Sequence, residues 1–285
     1  MFIFQNIEQV NDYLHSEKTN NKSIGFIPTM GALHKGHISL IQKAKNENDT
    51  VVCSIFVNPL QFNDKEDFNK YPRHIENDIQ YLESFNCCDA VFIPSEKEIY
   101  PDTESKKINI NLNNLDKVFE GAKRPGHFHG VVVVVNRLFN IIKPHKAYFG
   151  EKDLQQVAVI KQLVKQLNHN IEIVVCPIVR DEKGLALSSR NTLLSASGKE
   201  KALLIYKSLN HALNLSKTKT VNEIKQIINN IFEEYKEQNI KLDYFDFVNP
   251  DTFETVDNLN HNNNIHAIIA AYIEKIRLID NIKIR

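Results

Sequence analysis

Residues 28–37 read PTMGALHKGH and carry two histidines three positions apart, His34 and His37, with Gly36 between them and Gly31 upstream. The apolar run before them, Ile24 to Pro28, reads as a buried strand. Gly36 to Asn48 reads as a helix with Ile38, Leu40, Ile41 and Ala44 on one side. A strand, a glycine-containing turn and a helix N-terminus make an anion-binding arrangement, because unsatisfied backbone N–H groups and the helix dipole favour phosphate. Gly36 would let a nucleotide approach the backbone closely. Either histidine could donate to a phosphate oxygen. Two histidines also suit a metal, but no third ligand of matching spacing stands nearby. A bare histidine pair near a turn is more often structural; the full ten-residue string is far more specific.

Four further stretches gather polar groups. In VNPLQF, Asn58 and Gln61 fall at the C-terminal end of the apolar strand Val51 to Val57. Neutral amides there could bond a hydroxyl or a carboxylate, and Asn-Pro turn chemistry is the competing reading. In GEKDLQQ, Gly150 ends a short strand, and Lys152 and Asp153 begin a helix. A cation there suits a triphosphate whose charge builds as pyrophosphate departs. Asp153 could cap the helix or hold a nucleotide hydroxyl. In LALSSRN, Ser188, Ser189 and Arg190 form a cluster of donors that suits a phosphate clamp in a mobile loop, with a solvated N-cap as the bland alternative. In FEGAKRPGHF, Glu120 and Arg124 stand four apart and could pair.

The H-x-G-H core of PTMGALHKGH resembles the signature of the nucleotidylyltransferase superfamily, which includes class I aminoacyl-tRNA synthetases. With SIFVNPLQF (54–62), FEGAKRPGHFHGV (119–131), PHKAYFGEKDLQQ (144–156) and VRDEKGLALSSRN (179–191), in that order, the chain resembles the pantoate–β-alanine ligase (pantothenate synthetase) family over residues 24–191. The C-terminal third shows only general agreement. The resemblance implies ATP-dependent condensation of pantoate with β-alanine through a pantoyl adenylate, releasing pyrophosphate and AMP. It implies catalytic roles for His34, His37, Lys152 and Arg190, with Ser188 and Ser189 sharing the electrostatic work. Met30, Gly31, Ala32, Leu33, Lys35, Gly36, Gly150, Glu151, Asp153, Val179 and Leu187 would complete the ATP site, with Lys152 at the phosphates and Asp153 at the ribose. Gln61 and Gln156 would bind pantoate while Gln155 points elsewhere, and Asn58 and Arg124 would also face substrate. Mg²⁺ would be bound mainly through the ATP phosphates rather than by a protein cage, with Asp78 an outer-shell candidate. A homodimer through the N-terminal domain is implied as well. His129 is expected to be non-catalytic, and no role is assigned to His127.

The elements that must hold these groups alternate. A helix running to Phe85 with Pro72 in its first turn, a strand Ala90 to Pro94, a short strand Ala147 to Phe149, a helix Asp153 to Leu167 and a strand Glu172 to Cys176 follow one another. Val131 to Ile142 is ambiguous, because five valines favour a strand while the length suits a buried helix. The fold expected is α/β: a Rossmann-like, doubly wound, mostly parallel sheet with a smaller C-terminal α+β domain. Ligands then bind at the C-terminal ends of strands, near the switch in strand order. Beyond Ser188, Ser195 to Ser216 and Val221 to Gln238 read as amphipathic helices. Leu242 to Val248 and His266 to Ile279 read as antiparallel strands separated by an Asn-rich turn at 258–264. The expected division is an ATP- and pantoate-binding domain over 1–176 and a lid domain over 177–285.

Composition narrows the class. Across 285 residues, 35 Lys and Arg balance 35 Asp and Glu, which argues against a dedicated nucleic-acid binder. No run of about 18 apolar residues exists, so no membrane span is expected. The N-terminus lacks a basic region before an apolar core, so a secretory signal is not expected and the cytoplasm is the expected location. Cys53 and Cys176 lie in apolar runs and Cys87 and Cys88 are adjacent, so all four are expected to be structural thiols. Two alternatives stay open. A nucleotidylyltransferase with another acceptor would lack pantoate-dependent pyrophosphate exchange, and an RNA-binding or tRNA-charging relative would show salt-sensitive RNA retention.

Overall fold

The short apolar runs become parallel strands because flanking helices bury both faces of the sheet they form. The computed structural model describes residues 1–260 and 263–285. It divides into two compact units, Met1–Glu151 with Val159–Pro177, and Lys152–Ala158 with Ile178–Arg285.

The first unit contains β1 (Phe2–Phe4), α1 (Ile7–Thr19), β2 (Ile24–Thr29), α2 (Lys35–Glu47), β3 (Thr50–Ile55), α3 (Lys65–Lys70), α4 (Ile75–Phe85), β4 (Ala90–Phe92), α5 (Glu96–Ile99), α6 (Phe119–Lys123), α7 (His127–Ile142), β5 (Lys146–Gly150), most of α8 (Leu154–Gln166) and β6 (Glu172–Cys176). The strands lie in the order β1-β4-β3-β2-β5-β6 and every ladder is parallel. From β2 the chain runs outward through β3 and β4, then returns to the other side of β2 with β5 and β6. The reversal between β2 and β5 is a topological switch point. β2 pairs with β3 along its whole length but with β5 only at Gly25 and Phe26. The sheet therefore opens past Phe26, where Pro28 has no N–H to give.

One face carries Ile27, Val51, Cys53 and Val91 against Ile38 and Ile41 of α2 and Leu82 of α4. On the other, Phe26 meets Phe139 of α7 edge to face at 6.4 Å. The valine-rich segment, ambiguous in sequence, is helix, with Val131 to Val135 all buried. Helix propensity penalises each valine by at most about 0.7 kcal/mol, whereas burying one stabilises by roughly 1.5–3 kcal/mol, so burial decides. All four cysteines are unbridged and buried, and burial pushes the Cys88 thiol up to about 12, which makes it inert as a nucleophile.

The second unit contains α9 (Ala196–Leu215), α10 (Val221–Glu234) and an antiparallel sheet, β7 (Ile240–Val248), β8 (His266–Ile273) and β9 (Ile276–Lys283), in that order. Ser195 caps α9 by accepting from the Gly198 N–H at 2.8 Å, and Thr220 and Glu223 form a capping box on α10. Leu209, Ile224, Ile228 and Phe232 of the helices share a core with Phe247, Ile269 and Leu278 of the sheet.

Several sequence expectations need correction. Pro72 lies before α4, which begins at Ile75, so it is not a first-turn residue. Asp153 closes a 3₁₀ turn, Glu151–Asp153, that precedes α8. The expected strand His266 to Ile279 is two strands of a hairpin, reversed at Glu274 with φ +58°. α10 ends at Glu234 rather than Gln238, the remainder being a separate 3₁₀ turn. The Asn-rich turn at 258–264 includes His261 and Asn262, which lie outside the described residues.

Candidate active site

The loop after β2 is shaped by backbone geometry first. Gly31 and Ala32 both adopt left-handed conformations, φ +79° and +51°. A side chain on Gly31 would bring its Cβ within 2.8 Å of Asp78 Oδ2, so position 31 needs glycine for both conformation and space. This double reversal aims successive N–H groups at one carboxylate: Ala32 donates to Asp78 Oδ2 at 2.9 Å and Leu33 to Oδ1 at 2.7 Å. Each bond to a charged acceptor is worth about 1.5–3 kcal/mol. Burial pushes the Asp78 carboxyl up from its ordinary value, and the two N–H groups oppose that shift. Thr29 completes the loop, its hydroxyl accepting from the Gly31 N–H at 3.1 Å and donating to the Ser54 carbonyl at 2.7 Å. Asp78, the outer-shell candidate, is bonded into the loop and acts as its clamp.

His34 is the N-cap of α2, and the two histidines cap reciprocally. The Gly36 N–H donates to His34 Nδ1 at 3.1 Å, and the His34 N–H donates to His37 Nδ1 at 3.2 Å. The rings lie 4.1 Å apart. Since a backbone N–H can only donate, each Nδ1 is an acceptor, and the proton of each neutral ring sits on Nε2. The H-x-G-H spacing therefore builds a helix N-terminus with two imidazole Nε2–H donors at the switch point. Lys35 is exposed, while Met30, Leu33 and Gly36 are half-buried. On the neighbouring strand Gly150 ends β5, and a Cβ there would meet open space.

A second cluster follows β3. Asn58 is fully buried and caps the turn Pro59–Gln61. Its Oδ1 accepts from the Leu60 N–H at 3.2 Å and the Tyr100 hydroxyl at 2.9 Å, while Nδ2 donates to Gln61 Oε1 at 3.2 Å and the Gly130 carbonyl at 3.0 Å. Burial pushes the Tyr100 phenol well up, which keeps it a donor. These bonds fix the orientation of both amides, so Gln61 takes Asn58's donor on Oε1 and presents Nε2 as its own donor, beside Met30 Sδ. Asn58 positions Gln61. His127 Nδ1 donates to the Gln61 carbonyl at 2.8 Å and its Nε2 accepts from Arg124 at 3.0 Å, which defines a neutral Nδ1–H tautomer. His127 is buried and His129 exposed. The close approach of α7 rests on Gly130, whose added Cβ would lie 2.1 Å from the Leu60 carbonyl oxygen.

In the second unit Lys152 Nζ pairs with Asp153 Oδ1 at 3.1 Å. Gln155 is buried and Gln156 half-buried. Val179 and Leu187 pair in a hairpin, Leu187 N–H to Val179 carbonyl at 2.9 Å. Ser188 then caps a 3₁₀ turn, Ser189–Leu193, accepting from the Arg190 N–H at 3.3 Å. Ser188, Ser189 and Arg190 are all half-buried. Among the described residues no group of three or more His, Cys, Asp or Glu side chains could hold a metal ion. No helix among them is long and apolar enough to cross a membrane.

Of the residues singled out from the sequence, the structure places His34 and His37 at the start of α2, Gln61 in the turn after β3 and Ser188 to Arg190 at a 3₁₀ turn. The sequence alone assigns no role to Thr29 or Gly130, which lie inside quoted motifs, nor to Tyr100, and does not show that Asp78 holds the first loop, because these contacts join residues far apart in the chain.

A family model described as pantoate-beta-alanine ligase matches residues 2–283. The chain is 50% identical over 286 aligned residues to a pantothenate synthetase of Cytophaga hutchinsonii, covering 100% of this chain and 99% of that protein. It is 45% identical to one of Caldicellulosiruptor saccharolyticus, covering 99% of each. Among solved structures, a pantothenate synthetase of Thermus thermophilus matches with a TM-score of 0.91 at 36% identity, covering 100% of this chain and 99% of that one. A pantoate-beta-alanine ligase of Francisella tularensis, complexed with beta-gamma ATP and beta-alanine, matches with a TM-score of 0.82 at 42% identity, covering 99% and 97%.

Proposed function

This chain belongs to the pantoate–β-alanine ligase family, and we infer from that membership that it is an ATP-dependent ligase joining pantoate to β-alanine. A carboxylate resists attack by an amine because its oxygen is a poor leaving group. ATP removes the difficulty: the pantoate carboxylate attacks the α-phosphate, pyrophosphate departs, and the resulting pantoyl adenylate has AMP as its leaving group. The neutral amine of β-alanine then attacks the acyl carbon, an amide bond forms and AMP leaves.

The protein's part is alignment and charge stabilisation. We propose that the Nε2–H groups of His34 and His37, with the N-terminus of α2, bind the ATP phosphates. Lys152 and Arg190 supply cations as pyrophosphate leaves, and Ser188 and Ser189 supply hydroxyl donors. Met30 to Gly36, Gly150, Glu151, Asp153, Val179 and Leu187 complete the nucleotide site, Asp153 at the ribose. Gln61 donates its Nε2–H to pantoate, which Gln156 and Arg124 also bind, and Asn58 holds Gln61 in place. Mg²⁺ would be carried on the ATP phosphate oxygens rather than in a protein cage, because the ion keeps several waters and is bound largely through substrate phosphates. We further propose a homodimer in the cytoplasm, in which residues 1–176 bind ATP and pantoate and residues 177–285 act as a lid; sedimentation that returns a monomer would remove the dimer.

The observation that carries the reading is the reciprocal histidine cap at the β2–β5 switch point, which supplies paired neutral donors at a helix N-terminus. Incubation with ATP, pantoate and β-alanine should yield pantothenate and AMP in equal amounts. Product formed with ADP, or AMP formed without pantoate, would refute it.

A further inference from the structure

Residues 276–285 read IRLIDNIKIR, and successive side chains of a strand point to opposite faces. Ile276, Leu278, Ile282 and Ile284 all pack against the core of the second unit. Asp280 stands in their row, a carboxylate at an apolar position, and Asn281 stands in the opposite row. Both are buried, at 5% and 2% exposure. A buried carboxylate is costly unless paired and hydrogen-bonded, and an apolar side chain at 280 would continue the row with no partner at all. Folding alone does not call for Asp280.

What the two side chains hold lies next to the groups proposed above to bind phosphate. Asp280 takes both arms of the Arg180 guanidinium, at 2.5 and 2.9 Å. Arg180 sits over the Tyr206 ring at 3.9 Å and donates to the Gly184 carbonyl at 3.2 Å, across the hairpin that leads from Val179 into Ser188. Asn281 Nδ2 donates to the Lys152 carbonyl at 3.2 Å, and the Asn281 N–H donates to Asp280 Oδ1 at 2.8 Å.

We propose that Asp280 and Asn281 are positioning residues that fix, from one strand, the spacing between Lys152 and the Ser188–Arg190 turn. The inference rests on the reading that those two segments bind the ATP phosphates. It assigns an adenylation role to a stretch of β9 that carries none of the proposed substrate-binding residues.

The two half-reactions separate this role from a structural one, because only the first includes departing pyrophosphate. In Asn281→Ala, pantoate-dependent exchange of labelled pyrophosphate into ATP should slow about ten- to a hundredfold, since a displacement of about 1 Å can have that effect. Attack of β-alanine on supplied pantoyl adenylate should change by less than about threefold, since an interaction made only in the first transition state does not govern the second. Asp280→Asn leaves the half-buried Arg180 without its counter-charge and could unfold the chain. The double variant Arg180→Leu/Asp280→Leu removes the pair without orphaning either charge and should show the same split; if it does not fold, Asn281→Ala decides. Lys152→Ala is measured alongside. Wild-type exchange in Asn281→Ala beside a slowed Lys152→Ala overturns the positioning role alone. Equal losses in both half-reactions reduce it to a structural one. Wild-type exchange in Lys152→Ala overturns the phosphate reading and this inference with it.

Discussion

A histidine at a helix start can cap the helix or bind an anion; His34 and His37 do the first, and we propose that they do the second as well. Nδ1 of each ring accepts a backbone N–H, which leaves the ring proton on Nε2. The two roles can be pulled apart. Asparagine is among the best N-caps, so His34→Asn should keep the cap and lose the Nε2–H donor. Its unfolding free energy should stay within about 0.5 kcal/mol of wild type, while adenylation falls roughly 10²–10³-fold, the usual loss for one such donor. His34→Ala should lose about 1 kcal/mol of stability besides. Urea titration and pyrophosphate exchange read the two quantities separately, and an active His34→Asn would make the ring a cap only. Gln61 is oriented in the same sense by Asn58, so Gln61→Glu, which exchanges a donor for an acceptor, should raise the KM for pantoate at least as much as Gln61→Ala does.

At the level of elements, the site depends on where backbones touch. α7 lies against the turn Pro59–Gln61 at Gly130, with no room for a methyl group. Gly130→Ala should cost about 1–3 kcal/mol by overpacking and, by shifting Gln61, raise the KM for pantoate more than that for ATP. An unchanged pantoate KM would separate α7 from substrate binding. Much of this layer was legible. The alternation of strand and helix announces the parallel sheet, and H-x-G-H announces the end of β2, because turn, cap and anion site all need particular residue types in sequence. The β8–β9 hairpin was not legible, since its turn passes through Glu274 and Lys275 with no glycine or asparagine to mark it. The clamp on the first loop was not legible either. Asp78 reaches Ala32 from 46 residues away, and nothing local distinguishes it from any acidic residue in the first turn of a helix.

Across the whole molecule, a chain of zero net charge carries its proposed cations and donors at a helix start and on short turns: His34 and His37 at the N-terminus of α2, Lys152 after β5, Arg190 after the Val179–Leu187 hairpin. Sequence motifs mark these points over residues 24–191. The C-terminal strand β9, which we propose steadies two of them, carries no motif, only a charged residue out of step in an apolar row. All of these groups are assigned to one event, the transfer of a pantoate oxygen to the α-phosphate of ATP. Pantoate labelled with ¹⁸O in both carboxylate oxygens tests that event directly. Mass spectrometry should find one label in the phosphate of AMP and one in the amide carbonyl of pantothenate. Unlabelled AMP, or label in inorganic phosphate released beside ADP, would contradict it.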